Sequence, residues 1–296
     1  NAGPGMRMHI APSEGKGRDV GGAVIDMLYP GDAPARVPVA ALTGTNGKTT
    51  TARMLAHVLK MAGHVVGQTS TDAVYIDGNV TVRGDMTGPA SARMVLRDPT
   101  IDIAVIETAR GGIVRAGLGY DLCDVGAVLN VTSDHLGLGG VDTIAQLAEV
   151  KRLVVEVAKD TAVLSADNAE TLKMAAFTPA RHVCWVTQNP EHPLVREHIR
   201  LGKRAVVLEK GANGEQIVIY DNGAQIPLIW THLIPATLEG KALHNVENAM
   251  FTAANRNKRA ITVDIAKPEG QAIIRQMAAQ SDILVENFKV GGLKAY

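Results

Sequence analysis

Residues 44–50, Gly-Thr-Asn-Gly-Lys-Thr-Thr, combine residue types and a spacing that could bind a phosphate chain. They follow the apolar run at residues 37–42 almost directly, so a buried strand would lead into a glycine-rich turn and then a helix. Backbone N–H groups at such a turn converge on one point, where an anion is favoured. Lys48 would add positive charge at the β- and γ-phosphates, and Thr49 would offer a hydroxyl to Mg²⁺. The predicted phosphate contacts are Gly44, Thr45, Asn46, Gly47, Lys48, Thr49 and Thr50.

The loop departs from the general phosphate-binding pattern at one position. That pattern has a glycine separated by four residues from the Gly-Lys pair, and here the position is Leu42. A chance Gly-Lys-Thr turn is the alternative, but strand, turn and helix follow one another in the order that the motif requires. The shorter form resembles the Mur ligase family, which joins an amino acid to a carboxylate with ATP. The resemblance implies ATP and Mg²⁺ as cofactors.

Two further predicted strands end in residues that suit metal binding. The run at 101–106 leads into Glu107, which could be either a surface acid or the Mg²⁺ ligand that a phosphoryl-transfer site needs beside its loop. The run at 125–131 is followed by Asp134 and His135, and a lone histidine is more often a capping or structural group. Residues 130–136 resemble the second Mur fingerprint, which implies that His135 binds a second Mg²⁺ with Asp134 close beside it.

The resemblance extends to three more residues, which lie further along the chain: Lys151, Asn245 and Asn248. Lys151 lies sixteen residues after His135 and could be an ordinary solvated lysine. The Mur pattern implies instead that Lys151 is carbamoylated, which turns an ammonium into a carboxylate-like metal ligand. Asn245 and Asn248 form a His-Asn-x-x-Asn run that contacts the nucleotide in Mur ligases; a helix cap plus a helix asparagine is the alternative.

The elements that would position these residues alternate between strand and helix. Apolar runs occur at 103–106, 125–131, 162–164 and 183–186, and helical stretches at 49–62, 91–97, 143–158, 169–176 and 193–201. This alternation predicts an α/β fold with a doubly wound, mainly parallel sheet. The resemblance implies that the sheet is a phosphate-loop sheet of the Mur central-domain type. Ligands of such sheets bind at the carboxyl ends of the strands, where the loop at Gly44 begins.

Residues 204–233 follow a different pattern. Short alternating runs at 205–209, 216–220 and 226–231 are separated by turn residues, including Asp-Asn-Gly at 221–223. Such a turn between alternating runs is a strong hairpin signal. We therefore expect a small antiparallel β meander appended to the parallel sheet.

The resemblance narrows to the cyanophycin synthetase family over residues 1 to about 254. Its strongest segment is 107–119, supported by 1–9, 11–16 and 84–89. In that family a Mur-like module adds arginine to the aspartate β-carboxyl of the polymer cyanophycin through an acyl phosphate, so L-arginine and cyanophycin are the implied substrates. Arg110 and Arg115 are candidates to hold the polymer's carboxylates, because guanidinium pairs bidentately with them. The implied catalytic residues are Lys48, Glu107, His135 and Lys151; the implied metal ligands are Thr49, Glu107, His135 and Lys151.

The predicted organisation has three parts. Residues 1–36, with a short helix around 20–28, resemble the end of an ATP-grasp domain plus a linker, and residues 37–254 resemble the Mur central domain. Residues 255–296 resemble an N-terminal fragment of a class III CoA-transferase. A gene-fusion or assembly junction near Ala254 is therefore expected, with a β-α-β closing piece of a natural variant as the alternative, and the C-terminal Mur lobe is expected to be missing. With that lobe missing, weak binding of Mg-ATP and little ligase turnover are expected.

Composition limits the other function classes. The 296 residues carry a formal net charge of +0 and 3% aromatic residues, which leaves no electrostatic or stacking signature for nucleic acid and none for an anionic membrane. Two cysteines, Cys123 and Cys184, favour a reducing, cytoplasmic setting. A homo-oligomer stays open, as do three alternative functions: a Mur-type ligase for another substrate, a class III CoA-transferase fragment and a non-catalytic ATP-binding remnant.

Overall fold

The computed structural model describes residues 36–133, 136–137 and 139–255, together with residues 9–10, 18–19 and 27. Asp134 and His135 lie outside the described residues, as do the predicted segment after Asn255 and nearly all of residues 1–35 with their predicted short helix. All described residues belong to one unit of the chain, residues 1–256.

The described elements alternate as the sequence predicts. The strands are β1 (His9–Ile10), β2 (Arg18–Asp19), β3 (Val39–Thr43), β4 (Val66–Thr69), β5 (Ala73–Ile76), β6 (Asn79–Arg83), β7 (Ile103–Glu107), β8 (Cys123–Val128), β9 (Ala158–Ser165), β10 (His182–Thr187), β11 (Ala205–Gly211), β12 (Gly214–Asp221) and β13 (Ala224–Trp230). The helices are α1 (Lys48–Met61), α2 (Pro89–Leu96), α3 (Arg110–Ala116), α4 (Ile144–Glu156), α5 (Ala169–Met174), α6 (Pro193–Arg200) and α7 (Leu243–Ala254). Two short 3₁₀ turns, Thr231–Leu233 and Pro235–Thr237, precede α7.

Eleven of these strands form one sheet, in the order β13-β12-β11-β10-β9-β8-β3-β7-β4-β5-β6. The seven strands from β11 to β4 are parallel to one another. β3 lies between β7 and β8, and Leu42 is in register with Glu107 on one side and Ala127 on the other. The residues that follow β3, β7 and β8 therefore meet at one edge of the sheet.

Alternate residues of β3 face two different cores. Leu42 belongs to a buried cluster with Leu55 of α1 and Phe251 of α7. Ala41 belongs to another cluster with Val154 of α4. Since both faces of the sheet are covered by helices, central strands read as continuous apolar runs, and the predicted doubly wound α/β fold is confirmed.

Antiparallel strands lie at both edges of the sheet. The predicted meander is confirmed as β11, β12 and β13. The sequence interpretation missed a second antiparallel pair, β5 with β6, which extends the opposite edge from β4. Asp77 and Gly78 connect these strands with φ of 50° and 77°, which is the backbone geometry that an Asp-Gly hairpin turn requires.

Helix α3 was also not predicted, because Gly111 and Gly112 give its segment a low helix propensity. The helix is only seven residues long and directly follows the end of β7. Within the part of the chain that the structure describes, no helix combines the length and the hydropathy that a bilayer-spanning segment requires.

Candidate functional site

The loop after β3 has the geometry of an anion site. Gly47 caps α1 with φ of 84°, and the first intrahelical bond runs from the Thr51 N–H to the Gly47 carbonyl at 2.9 Å. The N-cap residue is a glycine and offers no side-chain acceptor to the N–H groups of the first turn, which lie too early in the helix for intrahelical bonds. Those donors and the positive end of the helix point toward the mouth of the loop, where phosphate oxygens would be accepted.

The loop is held from β8 by two residues that follow that strand. The N–H of Thr45 donates to the Asn130 carbonyl at 3.0 Å, and the N–H of Asn46 donates to Asn130 Oδ1 at 2.9 Å. The N–H of Thr132 donates to Thr45 Oγ1 at 3.0 Å. The sequence interpretation gave Asn130 no role of its own, although its position directly beyond β8 places it beside the loop.

Lys48, the predicted phosphate-binding cation, lies against the loop. Its Nζ donates to the Thr45 carbonyl at 3.0 Å, which folds the side chain back over the glycine-rich turn. The ammonium group is therefore on the same side as the first-turn N–H groups. A phosphate chain bound there would meet both.

Glu107 ends β7 beside the loop and is only 1% exposed. Thr49 Oγ1 donates to its Oε1 at 3.1 Å. Its Oε2 is buried and has no hydrogen-bond partner among the described residues. Burial raises the pKa of this carboxyl, and the Thr49 hydrogen bond, the Lys48 charge and the nearby Thr71 backbone oppose that rise. Glu107 is thus a buried carboxyl group with one oxygen that no described residue bonds, not the surface acid that the sequence also allowed.

A third oxygen group completes this corner of the site. Thr71 Oγ1 lies 3.1 Å from Thr49 Oγ1, in the loop that follows β4. The sequence interpretation missed Thr71, because a hydroxyl after a strand is too common a feature to single out. A carboxylate and two hydroxyls suit Mg²⁺, which prefers oxygen ligands and usually takes few of them from the protein.

Asp72 fixes the loop that carries Thr71. Its carboxylate accepts hydrogen bonds from the hydroxyls of Ser70 and Tyr75 and from Arg53 Nη2 at 2.8 Å. The Ser70 and Tyr75 bonds are the main reasons that the pKa of Asp72 is lowered to about 2. The loop is therefore anchored by an ionised carboxylate at neutral pH.

Lys151 comes to the loop from the opposite face of the sheet. Helix α4 begins with a capping box between Thr143 and Gln146, which sets its start and thereby the position of Lys151 two turns later. Lys151 is 3% exposed, and its Nζ donates to the Gly44 carbonyl at 2.8 Å. Lys151 is therefore not a solvated helix lysine. Its carbamoylation stays a prediction.

Of the two asparagines of α7, Asn248 reaches the loop and Asn245 lies behind it. Asn248 is 5% exposed; its Oδ1 accepts from Thr51 Oγ1 at 3.3 Å, and its Nδ2 donates to Asn245 Oδ1 at 3.2 Å. A Cβ built on Gly47 would lie 2.1 Å from Asn248 Oδ1, so the amide packs directly on the glycine. Neither asparagine is a helix N-cap, because α7 begins at Leu243 after Ala242.

The predicted substrate arginines lie on α3, beyond Glu107. Arg110 is the first residue of that helix. Arg115 is exposed, and its Nε donates to the Gly111 carbonyl at 2.9 Å within the same helix. The structure thus places both arginines on the helix that follows β7. The side chains that it brings together around the loop are those of Lys48, Thr49, Glu107, Lys151 and Asn248.

Comparison with known proteins gives the same assignment for most of the chain. Residues 42–255 match the family model of the Mur ligase middle domain. Residues 236–296 match the model of CoA-transferase family III. A structure of UDP-N-acetylmuramoyl-L-alanyl-D-glutamate–2,6-diaminopimelate ligase superposes with a TM-score of 0.51 over 82% of this chain and 50% of that one. At 18% sequence identity, that likeness concerns the fold alone.

Curated relatives extend the similarity to nearly the whole chain. A cyanophycin synthetase of Synechocystis sp. (strain ATCC 27184 / PCC 6803 / Kazusa) is 44% identical over 98% of this chain and 33% of its own length. A cyanophycin synthetase of Crocosphaera subtropica is 47% identical over 84% of this chain and 28% of its own length. The chain thus spans about a third of the length of the curated relatives that it matches.

Proposed function

The chain belongs to the Mur ligase family, and from that premise we propose that it is the nucleotide-binding module of an ATP-dependent ligase. The observation that carries the proposal is the buried carboxylate of Glu107 against the Thr49 hydroxyl at the mouth of the loop. A carboxylate is costly to bury without partners, so an unused oxygen at this place favours a ligand that supplies positive charge.

The residues at this corner fit a magnesium ion. Thr49, Glu107 and Thr71 would hold it, since Mg²⁺ commonly takes one carboxylate from the protein and fills its other positions with phosphate oxygens and water. When bound, the ion would neutralise charge on the β- and γ-phosphates during transfer. His135 and carbamoylated Lys151 are the proposed ligands of a second ion.

The proposed reaction has two steps. A substrate carboxylate oxygen attacks the γ-phosphorus of ATP, the bond to the β-phosphate oxygen breaks, and an acyl phosphate and ADP result. An amine then attacks the acyl carbon, phosphate leaves, and the amine nitrogen loses a proton to give the amide. Lys48 and the first-turn N–H groups of α1 would hold the phosphate chain while charge moves along it.

The proposed substrates come from the relatives' name. Cyanophycin would provide the carboxylate at an aspartate side chain, and L-arginine would provide the amine. Arg110 and Arg115 are the proposed contacts of the polymer's carboxylates, since both lie on the helix that follows Glu107. A Mur-type ligase for another substrate would keep the loop chemistry and change only these contacts. A remnant that binds ATP without turnover would retain only the phosphate-binding function of the loop.

The proposed organisation keeps residues 1–36 as the end of an ATP-grasp domain with its linker, 37–254 as the Mur-like domain and 255–296 as a CoA-transferase-like fragment. The match of residues 236–296 to CoA-transferase family III gives the second candidate function its support. We propose a cytoplasmic setting, with the oligomeric state left open.

The test is ligand-induced stabilisation of the purified chain. Mg-ATP at about 100 times its dissociation constant should stabilise the folded state by about 2.7 kcal/mol and raise the melting temperature by about 5 to 10 °C. Lys48→Ala should remove most of this shift, since it deletes the cation at the loop. Lys60→Ala is the matched control, because Lys60 lies in the last turn of the same helix, where it pairs with Asp77.

Two results would contradict the proposal. One is an equal Mg-ATP shift in the Lys48→Ala and Lys60→Ala variants, and the other is no shift in the wild-type chain. Coenzyme A is measured in parallel. Stabilisation by coenzyme A without stabilisation by Mg-ATP would favour the CoA-transferase candidate instead.

A further inference from the structure

A chain of four polar groups joins the phosphate-binding helix to the turn that precedes α7. Thr51 Oγ1 donates to Asn248 Oδ1 at 3.3 Å, and Asn248 Nδ2 donates to Asn245 Oδ1 at 3.2 Å. Asn245 Nδ2 then donates to the Ala236 carbonyl at 2.7 Å. We call this hydrogen-bonded series the amide relay: Thr51, Asn248, Asn245 and Ala236. Its first and second members are 197 residues apart in the chain.

The amide relay has a single direction. Each amide accepts through Oδ1 and donates through Nδ2, and the series ends at a backbone carbonyl, which can only accept. Thr51, at the other end, is fully buried, so its hydroxyl has no water to serve as an alternative acceptor. The relay therefore fixes which side of the Asn248 amide faces the loop.

The far end of the relay lies in a constrained segment of backbone. Ala236 belongs to the 3₁₀ turn Pro235–Thr237, and the next three residues, Leu238, Glu239 and Gly240, all have positive φ, at 51°, 60° and 83°. Two consecutive non-glycine residues in this region of φ persist only where surrounding contacts determine them.

Thr237 supplies such contacts. It is fully buried; its hydroxyl donates to the Ile234 carbonyl at 2.7 Å and accepts from the Gly240 N–H at 3.1 Å. These bonds tie both ends of the turn to one side chain. The Ala236 carbonyl is therefore a fixed acceptor for the relay.

The near end of the relay is the loop itself. A Cβ on Gly47 would lie 2.1 Å from Asn248 Oδ1, so this oxygen occupies the space beside the glycine that turns the chain into α1. Gly47 directly precedes Lys48. A rotation of the Asn248 amide would therefore change the contact at the residue from which the phosphate-binding turn of the helix starts.

We propose that Thr51 is a positioning residue for the phosphate-binding loop, acting through the Asn248 amide on Gly47. Thr51 need not touch a nucleotide; its hydroxyl holds the Asn248 amide in the orientation that the Ala236 carbonyl sets, and this keeps the loop in the shape required for phosphate. The inference rests on the proposed nucleotide site only for its functional consequence. The effect on the loop itself can be measured without any ligand.

The test compares two variants that remove the same atom from the two sides of Asn248. Thr51→Val removes the hydroxyl bonded to the Asn248 side chain. Thr252→Val removes a buried hydroxyl that donates to the Asn248 backbone carbonyl at 2.9 Å on the same helix. Both replacements keep a β-branched side chain of similar volume. Thr51→Ser keeps the hydroxyl and serves as the rescue variant.

Amide hydrogen exchange of the unliganded chain gives the first readout. Thr51→Val should speed exchange in the peptide that covers residues 43–50, whereas Thr252→Val and Thr51→Ser should leave that peptide near wild type. The second readout is the dissociation constant of Mg-ATP, which Thr51→Val should raise by about threefold to tenfold, the range expected for one lost hydrogen bond. Thr252→Val should raise it less than about twofold, because its hydroxyl does not contact the amide.

Equal exchange of the loop peptide in Thr51→Val and Thr252→Val would overturn the proposal, since a merely structural hydroxyl predicts equal effects. Failure of Thr51→Ser to restore slow exchange would overturn it too. If the wild-type chain does not bind Mg-ATP, the proposed function fails, yet the exchange experiment still decides whether Thr51 holds the loop.

Discussion

The loop edge of the parallel sheet and the antiparallel meander each contain a glutamate, and the two are satisfied in different ways. Glu107 lies at the end of β7, is 1% exposed and has one oxygen without a partner among the described residues. Glu209 lies in β11 and accepts hydrogen bonds from the Tyr220 hydroxyl, from Arg196 Nη2 at 3.2 Å and from Gln225 Nε2 at 2.9 Å. The more deeply buried carboxylate thus has the poorer set of protein partners.

The difference shows how to tell a structural carboxylate from one that serves a ligand. A structural carboxylate finds its donors inside the protein, because each unsatisfied buried group costs about 1 to 3 kcal/mol. The meander closes its network around Glu209, whereas the loop edge leaves Glu107 incomplete. A buried polar group that lacks a hydrogen-bond partner in the protein is expected at functional sites, where a ligand supplies the partner.

The largest expected effect comes from removing one charge in each region. Glu107→Gln should weaken Mg-ATP binding at least about a hundredfold, about 3 kcal/mol, since a neutral amide is a poor substitute for the metal-binding carboxylate. The unliganded variant should melt no lower than wild type, because a buried charge has been removed. Calorimetric titration with Mg-ATP and a thermal melt check both statements.

Glu209→Gln is the matched control in the meander. It should bind Mg-ATP as wild type does and melt lower, with a loss of about 1 kcal/mol, because it weakens charge-assisted hydrogen bonds from Arg196 and Tyr220. If Glu107→Gln instead lowers stability and spares binding, the two glutamates have the same structural role and the comparison fails.

Two glycines with similar backbone angles give the next largest effect. Gly47 has φ of 84° and would place a Cβ 2.1 Å from Asn248 Oδ1, whereas Gly223 in the β12–β13 turn has φ of 79° and open space around it. Gly47→Ala should therefore destabilise the chain by about 2 kcal/mol, and Gly223→Ala by about 1 kcal/mol from backbone strain alone. Urea denaturation of both variants measures the difference; equal losses would mean that Asn248 yields without cost.

Much of the fold could be predicted from the sequence because its signals are local. The buried strands around β3 read as continuous apolar runs, and the Asp-Asn-Gly turn marked the meander. The β5–β6 hairpin also has a local signal, Asp77-Gly78, and could have been predicted from it. Helix α3 could not be predicted, since its paired glycines disfavour a helix and its position beyond β7 overrides that preference.

The residues of the candidate site also fall into those that the sequence could predict and those that it could not. The loop and Glu107 could be predicted because the loop directly follows one strand of the parallel sheet and Glu107 ends the next. Thr71 and Asn130 also follow strands, but hydroxyls and amides at strand ends are too common to single out from the sequence. The contact between Thr51 and Asn248 depends on how α1 packs against α7, and no local pattern records an approach between residues so far apart.

The smallest expected effect is the pH dependence of stability that two other carboxylates, Glu247 and Asp72, contribute. It tests the same contrast between a carboxylate that lacks donors and one that has them. Glu247 of α7 is partly buried; this burial, together with the nearby charge of Asp167, raises its pKa from 4.5 to about 7. Asp72, whose oxygens accept from Ser70 and Tyr75, has its pKa lowered to about 2 instead. Burial therefore raises the pKa of one acid, whereas hydrogen-bond donors lower the pKa of the other.

The two shifts predict opposite contributions to stability. For Glu247 the folded state holds its proton more tightly than the unfolded state between pH 4.5 and 7, so stability falls as pH rises through this window. The full linkage value is reduced by solvent at the partly exposed side chain, and we expect a loss of about 1.5 kcal/mol. For Asp72 the contribution is fully present above its unfolded pKa of 3.8 and is lost only as pH falls toward 2.

Glu247→Gln should therefore flatten the decline in the free energy of unfolding between pH 4.5 and 7, measured by urea denaturation at several pH values. Asp72→Asn should lower stability by a constant amount across the same window, because Asp72 is ionised throughout it. A decline that persists unchanged in Glu247→Gln would assign the slope to another group. Glu107 would then be the first to test, since burial raises its pKa as well, and loss of the slope in Glu107→Gln would assign the slope to that carboxyl.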